Sequence, residues 1–399
     1  MSVFRELGLE PIINASGTVT RLGGAPMPPA VLDAFVAAAA ETVPLEQLQA
    51  AASARIAAAT GAEAGLVTSG AAASLTLGAA AILARGDVGR MERLPCCDGF
   101  PHDFVVSREH RNGYDHAVRA AGVRLVEVGF NEITANAGVR RTEAWEYEAA
   151  FGPDTAGVLY GYAPKSQPPL EQVVECAHRH GLAVLVDAAG ELPPRENLTR
   201  IVATGADLVA FSGGKAIRGP QSTGLLCGRR ELISSAALQM LDMDDHPELW
   251  DPPPALIDRS KLNGMPRHGI GRSLKVSKEE IAALLKALEL FTAGAFDSEI
   301  PTRRRWLEEM AAGLKSTSAQ CRLIDPGDGQ SSPSLEIIVN ERQLKRSAFE
   351  ICRRLRQGTP PVYVGHGKLS EGVLVIRSAC LNDSQIEPLI RRLREELSQ

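Results

Sequence analysis

The sequence predicts an α/β protein: a mainly parallel sheet covered by helices on both faces, followed by a smaller α+β domain. Between residue 64 and about 230, short and nearly continuously apolar runs alternate with helical segments. The tail after about residue 316 carries a few further strand and helix patterns. At 399 residues the chain exceeds one small core and suggests two or three units, one of them large.

Taken in order, residues 1–30 read as an irregular Gly- and Pro-rich arm with INASGTVTRLGG at its centre. Helical stretches follow at about 30–41 and 46–60. Seven strand-like runs come next: AGLVT (64–68), DFVVS (103–107), VRLVEV (123–128), AGVLYGY (156–162), LAVLVD (182–187), DLVAFS (207–212) and TGLLCG (223–228). Intervening segments such as PLEQVVECAHRHG (169–181) place apolar residues at helical spacing and end on Gly. AAASLTLGAAAILA (71–84) reads as a buried helix, too short to span a bilayer. Only a Gly/Pro-rich loop separates the last two runs, so one antiparallel strand is expected there. After an irregular stretch at 240–277, Ser277 and Glu280 resemble a capping box for a helix to about 296, and another helix covers about 301–316. The tail reads as LEIIVN (335–340), a helix over 343–357, PVYVG (361–365), GVLVIR (372–377) and a helix from about 383. The expected division is an arm (1–30), a large domain (31–277), and a linking helix with a small C-terminal domain (278–399).

Composition excludes several classes. The net charge of −5 offers no basic field for a phosphate backbone, and aromatics at 5% are too few for base-stacking surfaces. The expected partner is a small molecule, with neither nucleic acid nor membrane. The seven cysteines are odd in number and lack metal-ligand spacing; they read as reduced thiols, with no metal. MSVFRELGLEPIINASG has neither a charged n-region nor a long apolar h-region, so a cytoplasmic protein without a signal peptide is expected.

In open α/β sheets, ligands bind at the carboxyl ends of the strands, where three groups stand out. Thr68 to Ser74 links a strand to a long helix through small residues, which suits a phosphate cradle and equally a tight structural turn. Asp187 ends an apolar strand and is costly to bury without a cation or donors; a helix cap is the structural alternative. Lys215, in FSGGKAIRGPQSTG, is flanked by glycines that leave it little local packing. Such an amine suits Schiff-base and general-base chemistry, against the ordinary reading of a solvated lysine.

Cradle, aspartate and lysine lie in that order on successive βα units, and the arrangement resembles the aspartate aminotransferase superfamily, the pyridoxal 5′-phosphate (PLP)-dependent enzymes of fold type I. FSGGKAIRGPQSTGLLCGRR, INASGTVTRLGG, LVDAAGELPP and HGIGRSLKVSKEEIAALLKALE are similar to segments of the selenocysteine synthase-like group. That group includes L-seryl-tRNA(Sec) selenium transferase and D-glucosaminate-6-phosphate ammonia-lyase. The resemblance spans about residues 12 to 295 and implies PLP as cofactor. It implies Lys215 as the Schiff-base lysine and proton shuttle, and Asp187 on the pyridine nitrogen. Ser69, Gly70, Ala71 and Ala72 would hold the phosphate, with Ser212 beside them. His110 would stack on the ring, against the rival reading of an exposed histidine at a helix start. Arg377 matches the place of a carboxylate-binding arginine, although a plain surface arginine also fits a strand end. Arg272 and His268 would reach the cofactor or substrate of a neighbouring subunit, or stabilise a dimer. Asn14 and Thr18 are further substrate candidates.

The group implies a lyase: Lys215 removes the α-proton of an amino acid or amino-sugar acid, and α,β-elimination yields a 2-oxo acid and ammonia. Racemisation and aldol cleavage use related proton chemistry, and a non-catalytic PLP-binding protein is the alternative of another class. The chain starts almost directly at INASG, so the tRNA-binding domain of bacterial selenium transferase is not expected. No second phosphate site is evident. Fold type I sites commonly lie at dimer interfaces, which implies a homodimer or larger homo-oligomer.

Overall fold

The apolar runs fold as strands. The computed structural model describes residues 2–130 and 140–398. Its strands are β1 (Ile13–Ala15), β2 (Ala64–Thr68), β3 (Asp103–Ser107), β4 (Arg124–Val128), β5 (Thr155–Gly161) and β6 (Ala183–Asp187). They continue with β7 (Leu208–Ser212), β8 (Gly224–Gly228), β9 (Gln320–Ile324), β10 (Ser334–Ile338), β11 (Val362–Val364) and β12 (Val373–Arg377). Two units separate, one of Met27–Glu289 and one of Met1–Pro26 with Leu290–Gln399.

The larger unit holds a seven-stranded sheet in the order β2-β8-β7-β6-β5-β3-β4. Only β8 runs antiparallel to its neighbours. The reason lies in the loop before it: residues 213–223 are too few for a helical crossover, so the chain turns back beside β7. The helix Ala71–Ala84 is buried at every position from Ala73 onward. Gly78 lets it approach the sheet, since a Cβ there would meet a Leu185 methyl at 2.8 Å. Register then fixes which residues share the carboxyl edge. Gly224 pairs with both Thr68 and Ser212, Asp187 pairs with Ala210, and Gly161 pairs with Asp187. One edge of the sheet therefore collects the ends of β2, β7, β6 and β5.

The helix Lys278–Thr292 opens with the expected box: Ser277 N–H donates to Glu280 Oε2 (3.1 Å), and Glu280 N–H donates to Ser277 Oγ (3.3 Å). It ends earlier than the expected residue 296, and the division between the units falls within it.

The smaller unit has an antiparallel sheet β12-β10-β9 and a parallel pair β1-β11. Its core joins Trp306, Leu335, Ile337, Ile376 and Leu389 with Ile13 and Ala15. Three expectations change here. Residues 1–30 are not wholly irregular, because Ile13–Ala15 pairs with Val362–Val364; a three-residue strand is too short to show a period. The strand β9 escapes the sequence reading, being at least half-exposed along its length. The helix expected over 343–357 is two helices, Glu341–Leu344 and Ala348–Gln357. Lys345 between them adopts φ 52°, and Ser347 starts the second by accepting from Glu350 N–H at 3.2 Å. Among the described residues no helix is long and apolar enough to cross a membrane.

Candidate active site

At the end of β2 the chain turns through Thr68, Ser69 and Gly70 into the helix Ala71–Ala84. Gly70 has φ 99°, a conformation that favours glycine, and no side chain caps the helix. The leading amides of any helix lack intrahelical acceptors, so this turn presents uncapped N–H groups and the positive end of the helix dipole. The Thr68 hydroxyl holds the turn from below, 3.0 Å from Gly70 O and 2.7 Å from Ser74 Oγ. The Ser69 hydroxyl donates to Leu274 O at 2.9 Å. Ser69 is thus left to offer an anion its amide rather than its hydroxyl proton. Ser212, at the end of β7, is half-buried and makes no side-chain hydrogen bond among the described residues.

Asp187 ends β6. Its Oδ1 accepts from Ala189 N–H at 3.1 Å, and Oδ2 has no partner among the described residues. Burial pushes this carboxyl above the ordinary aspartate range; the Ala189 N–H and the Lys215 ammonium pull it down, and Asp115 pushes it up. Lys215 follows β7 in a loop that leaves its neighbours no room for side chains. A Cβ at Gly213 would collide with Thr223, and one at Gly214 with Gln221. The Lys215 ammonium is half-buried and forms no hydrogen bond or ion pair among the described residues. A buried carboxylate with a free oxygen and an unpaired amine therefore influence one another on one sheet edge.

His110 lies three residues beyond β3 and is 8% exposed, which corrects the reading of an exposed histidine. Its ring meets Tyr160 edge-on, with centroids 4.4 Å apart and planes at 67°. Both ring nitrogens are buried and have no hydrogen-bond partner among the described residues. Burial lowers its pKa to about 4, so the imidazole is neutral near pH 7. A buried ring with two unsatisfied nitrogens is costly in an empty protein and suits a surface that a ligand completes.

The remaining candidates belong to other segments of the chain. His268 and Arg272 both bind Asp242, at 3.2 Å and 2.5 Å. Asn14, Thr18 and Arg377 belong to the smaller unit. There Asn14 braces its own loop, donating to Gly17 O (3.1 Å) and accepting from Ser16 N–H (3.0 Å). Arg377 Nη1 donates to Ser16 O at 3.3 Å. Gly17, at φ 89°, makes room for this arginine, since a Cβ would fall 3.0 Å from Arg377 Cδ. Thr18 is half-buried just beyond.

Sequence reasoning missed Glu191. It ends the Asp187 turn, half-buried, with a carboxylate that has no partner among the described residues. Burial, then Asp187, raise its pKa while Lys215 lowers it. The signal was its spacing, four residues after Asp187 in LVDAAGELPP. Together these groups can receive an anionic phosphate, a cationic ring nitrogen and a carbonyl carbon able to form an imine with an amine. The free Asp187 oxygen, the unsatisfied His110 ring and the uncapped amides all fit such a ligand.

The family model of aminotransferase class-V matches residues 165–242. A 5′-C-glycyluridine monooxygenase-decarboxylase from Streptomyces is 31% identical over 99% of this chain and 92% of its own. The D-glucosaminate-6-phosphate ammonia lyase of Salmonella typhimurium is 28% identical over 99% of this chain and 97% of its own. A solved structure of D-glucosaminate-6-phosphate ammonia-lyase superposes with a TM-score of 0.81 at 27% identity, covering 100% of this chain and 98% of that one.

Proposed function

The chain belongs to the PLP-dependent enzymes of fold type I, in their selenocysteine synthase-like group, and from that premise we propose that it is an ammonia-releasing lyase. Its substrate is an amino acid or amino-sugar acid, converted by α-proton removal and α,β-elimination into a 2-oxo acid and ammonia. The observation that carries the reaction class is the likeness to D-glucosaminate-6-phosphate ammonia lyase, which runs the length of both chains in sequence and in fold. Neither relative's name describes a racemase or an aldolase.

Bound PLP supplies an aldehyde for imine formation and a protonated ring that withdraws electrons from the substrate Cα. The chain's own residues do the rest. Amides of Ser69, Gly70, Ala71 and Ala72 hold the phosphate at the helix start, with Ser212 beside them. The oxygen of Asp187 that Ala189 N–H leaves free would accept from the ring nitrogen and keep its proton in place. His110, neutral and packed edge-on against Tyr160, would lie against the cofactor ring and add no charge. Lys215 Nζ would hold the cofactor and would serve as the base that accepts the substrate's α-proton. Arg377 offers a planar fork for the substrate carboxylate, and Asn14 with Thr18 border its loop. A second copy of the chain completes the site in a homodimer or larger ring, to which Arg272 contributes.

The experiment is a product screen on PLP-loaded protein, reading 2-oxo acid, ammonia, aldehyde, inverted enantiomer, CO2 and O2 uptake. Ammonia and 2-oxo acid in equal amounts are expected. O2 uptake with CO2 release instead would transfer the chain to the chemistry that the Streptomyces relative's name describes.

A further inference from the structure

An elimination moves two protons, and the groups assigned so far handle only one. Lys215 removes the α-proton, while the leaving group at Cβ departs with an electron pair. If that group is a hydroxyl it needs a proton, because hydroxide leaves poorly. Asp187 is committed to the ring nitrogen. Asp115 is ion-paired with Arg111. His110 is neutral near pH 7, and a neutral imidazole N–H is a feeble acid.

Glu191 remains. Its backbone is pinned on both sides: its N–H donates to Ala188 O at 3.2 Å, and its carbonyl accepts from Asn197 Nδ2 at 2.6 Å. Asn197 is itself buried, so the turn from Asp187 to Glu191 is held as a unit. The Glu191 side chain, by contrast, is tied to nothing among the described residues, and it shares the electrostatic surroundings of Asp187 and Lys215. A structural carboxylate would have a cation or donors of its own; this one, four residues after Asp187 on a fixed turn, makes no such bond among the described residues.

We infer that Glu191 is the acid that protonates the departing oxygen when the group lost from Cβ is a hydroxyl. This rests on the elimination reading above. The bookkeeping closes without an oxidant. The electron pair of the broken Cα–H bond becomes the Cα–Cβ double bond, and the Cβ–O pair leaves with oxygen. Glu191 gives that oxygen its proton, and water departs. Lys215 ends with one proton more and Glu191 with one fewer, so transfer between them resets both. The released enamine takes a proton at Cβ and loses one from nitrogen, which moves the double bond to C–N, and water hydrolyses that bond to a 2-oxo acid and ammonia. Burial and the neighbouring Asp187 charge both favour the protonated form of Glu191, the form an acid must start from.

The test compares Glu191→Gln with wild type on a β-hydroxy amino acid and on its β-chloro analogue, whose chloride leaves unprotonated. General-acid catalysis contributes about 10²–10⁴-fold, so the variant is expected to lose at least ~10²-fold in kcat on the hydroxy substrate. On the chloro analogue the loss is expected to stay within about threefold. Equal losses on both, or no loss on either, overturn Glu191 as the acid and leave the elimination reading standing. Wild-type enzyme that exchanges the substrate Cα–H for deuterium yet eliminates neither group overturns the reading and the acid together. Apart from turnover, the carboxyl stretch of wild-type minus Glu191→Gln protein is expected to titrate above glutamate's ordinary 4.5. A midpoint at or below that value overturns the proposal.

Discussion

Gly224 lies against the start of the helix Ala71–Ala84: a Cβ on it would meet the Gly70 carbonyl carbon at 2.5 Å and Ala71 N at 2.6 Å. Both partners are backbone, so neither can swing aside. Gly224→Ala is therefore expected to displace the uncapped amides, at the ~1–3 kcal/mol that overpacking costs. PLP affinity should fall by about tenfold or more while the secondary structure persists. Equilibrium titration of cofactor-free protein, read by absorbance, measures this; unchanged affinity would remove the amides from the phosphate site.

Lys215→Ala is expected to abolish the borohydride-reducible adduct and to slow α-proton exchange by about 10³-fold or more. Peptide mass mapping after reduction checks the first point, and deuterium exchange into substrate checks the second. A yellow reducible adduct on another active-site lysine of the variant would refute the assignment.

Asp187→Asn should separate stability from function. Burial holds the Asp187 carboxyl above its ordinary value, so the native state binds that proton more tightly than the unfolded chain does. Stability from this group is present below the unfolded pKa and is lost as pH rises through the folded one. Above the folded pKa of this carboxyl the cofactor-free variant is expected to melt higher than wild type. The difference should vanish at acid pH, where the wild-type carboxyl is neutral in both states. Turnover should fall at every pH, because an amide does not stabilise a protonated ring nitrogen. A melting series at several pH values, run on both proteins, reads the sign directly.

His110 carries the opposite sign. Its folded pKa of about 4 lies below histidine's ordinary 6.5, so the unfolded chain takes the proton first. Stability is full above 6.5 and drains away as pH falls toward 4, by on the order of 3 kcal/mol. His110→Phe removes two unsatisfied buried nitrogens and should match or exceed wild-type stability without that acid loss. Its turnover should nevertheless drop, and the cofactor's absorbance maximum should move. Identical pH–Tm curves for the two proteins would contradict the burial argument.

Arg377→Lys replaces a planar fork by a point charge. KM for substrates bearing a carboxylate is expected to rise about tenfold, with kcat changed less, and a decarboxylated analogue should bind both proteins alike. Equal KM values for the carboxylate substrate would return Arg377 to the role of a surface residue.

The sheet and its edge were legible because their signals are local. Seven apolar runs announce seven strands, and the short Gly/Pro loop before Gly224 announces the antiparallel one. Thr68–Ser74, Asp187 and Lys215 were legible for the same reason: each follows a strand directly. What stayed hidden depends on packing. The three residues Ile13–Ala15 acquire a strand partner 349 positions later, at Val362–Val364. His110 could be read as buried or exposed until Tyr160 and Gly161 closed on it, since a Cβ at Gly161 would stand 3.3 Å from His110 Cβ. Glu191 looked like a loop glutamate because nothing in the sequence says that its carboxylate lacks a partner.

The strand order has a consequence for biosynthesis. Within its sheet β2 hydrogen-bonds to β8 alone, a strand that follows it by more than 150 residues. A growing chain that has not yet released residue 228 from the ribosome lacks the strand that pairs with β2 up to Thr68, where the turn at Gly70 begins. Cofactor capture is then a late event in translation, and fragments ending before Gly224 are expected to emerge unable to retain the vitamin B6 phosphate ester.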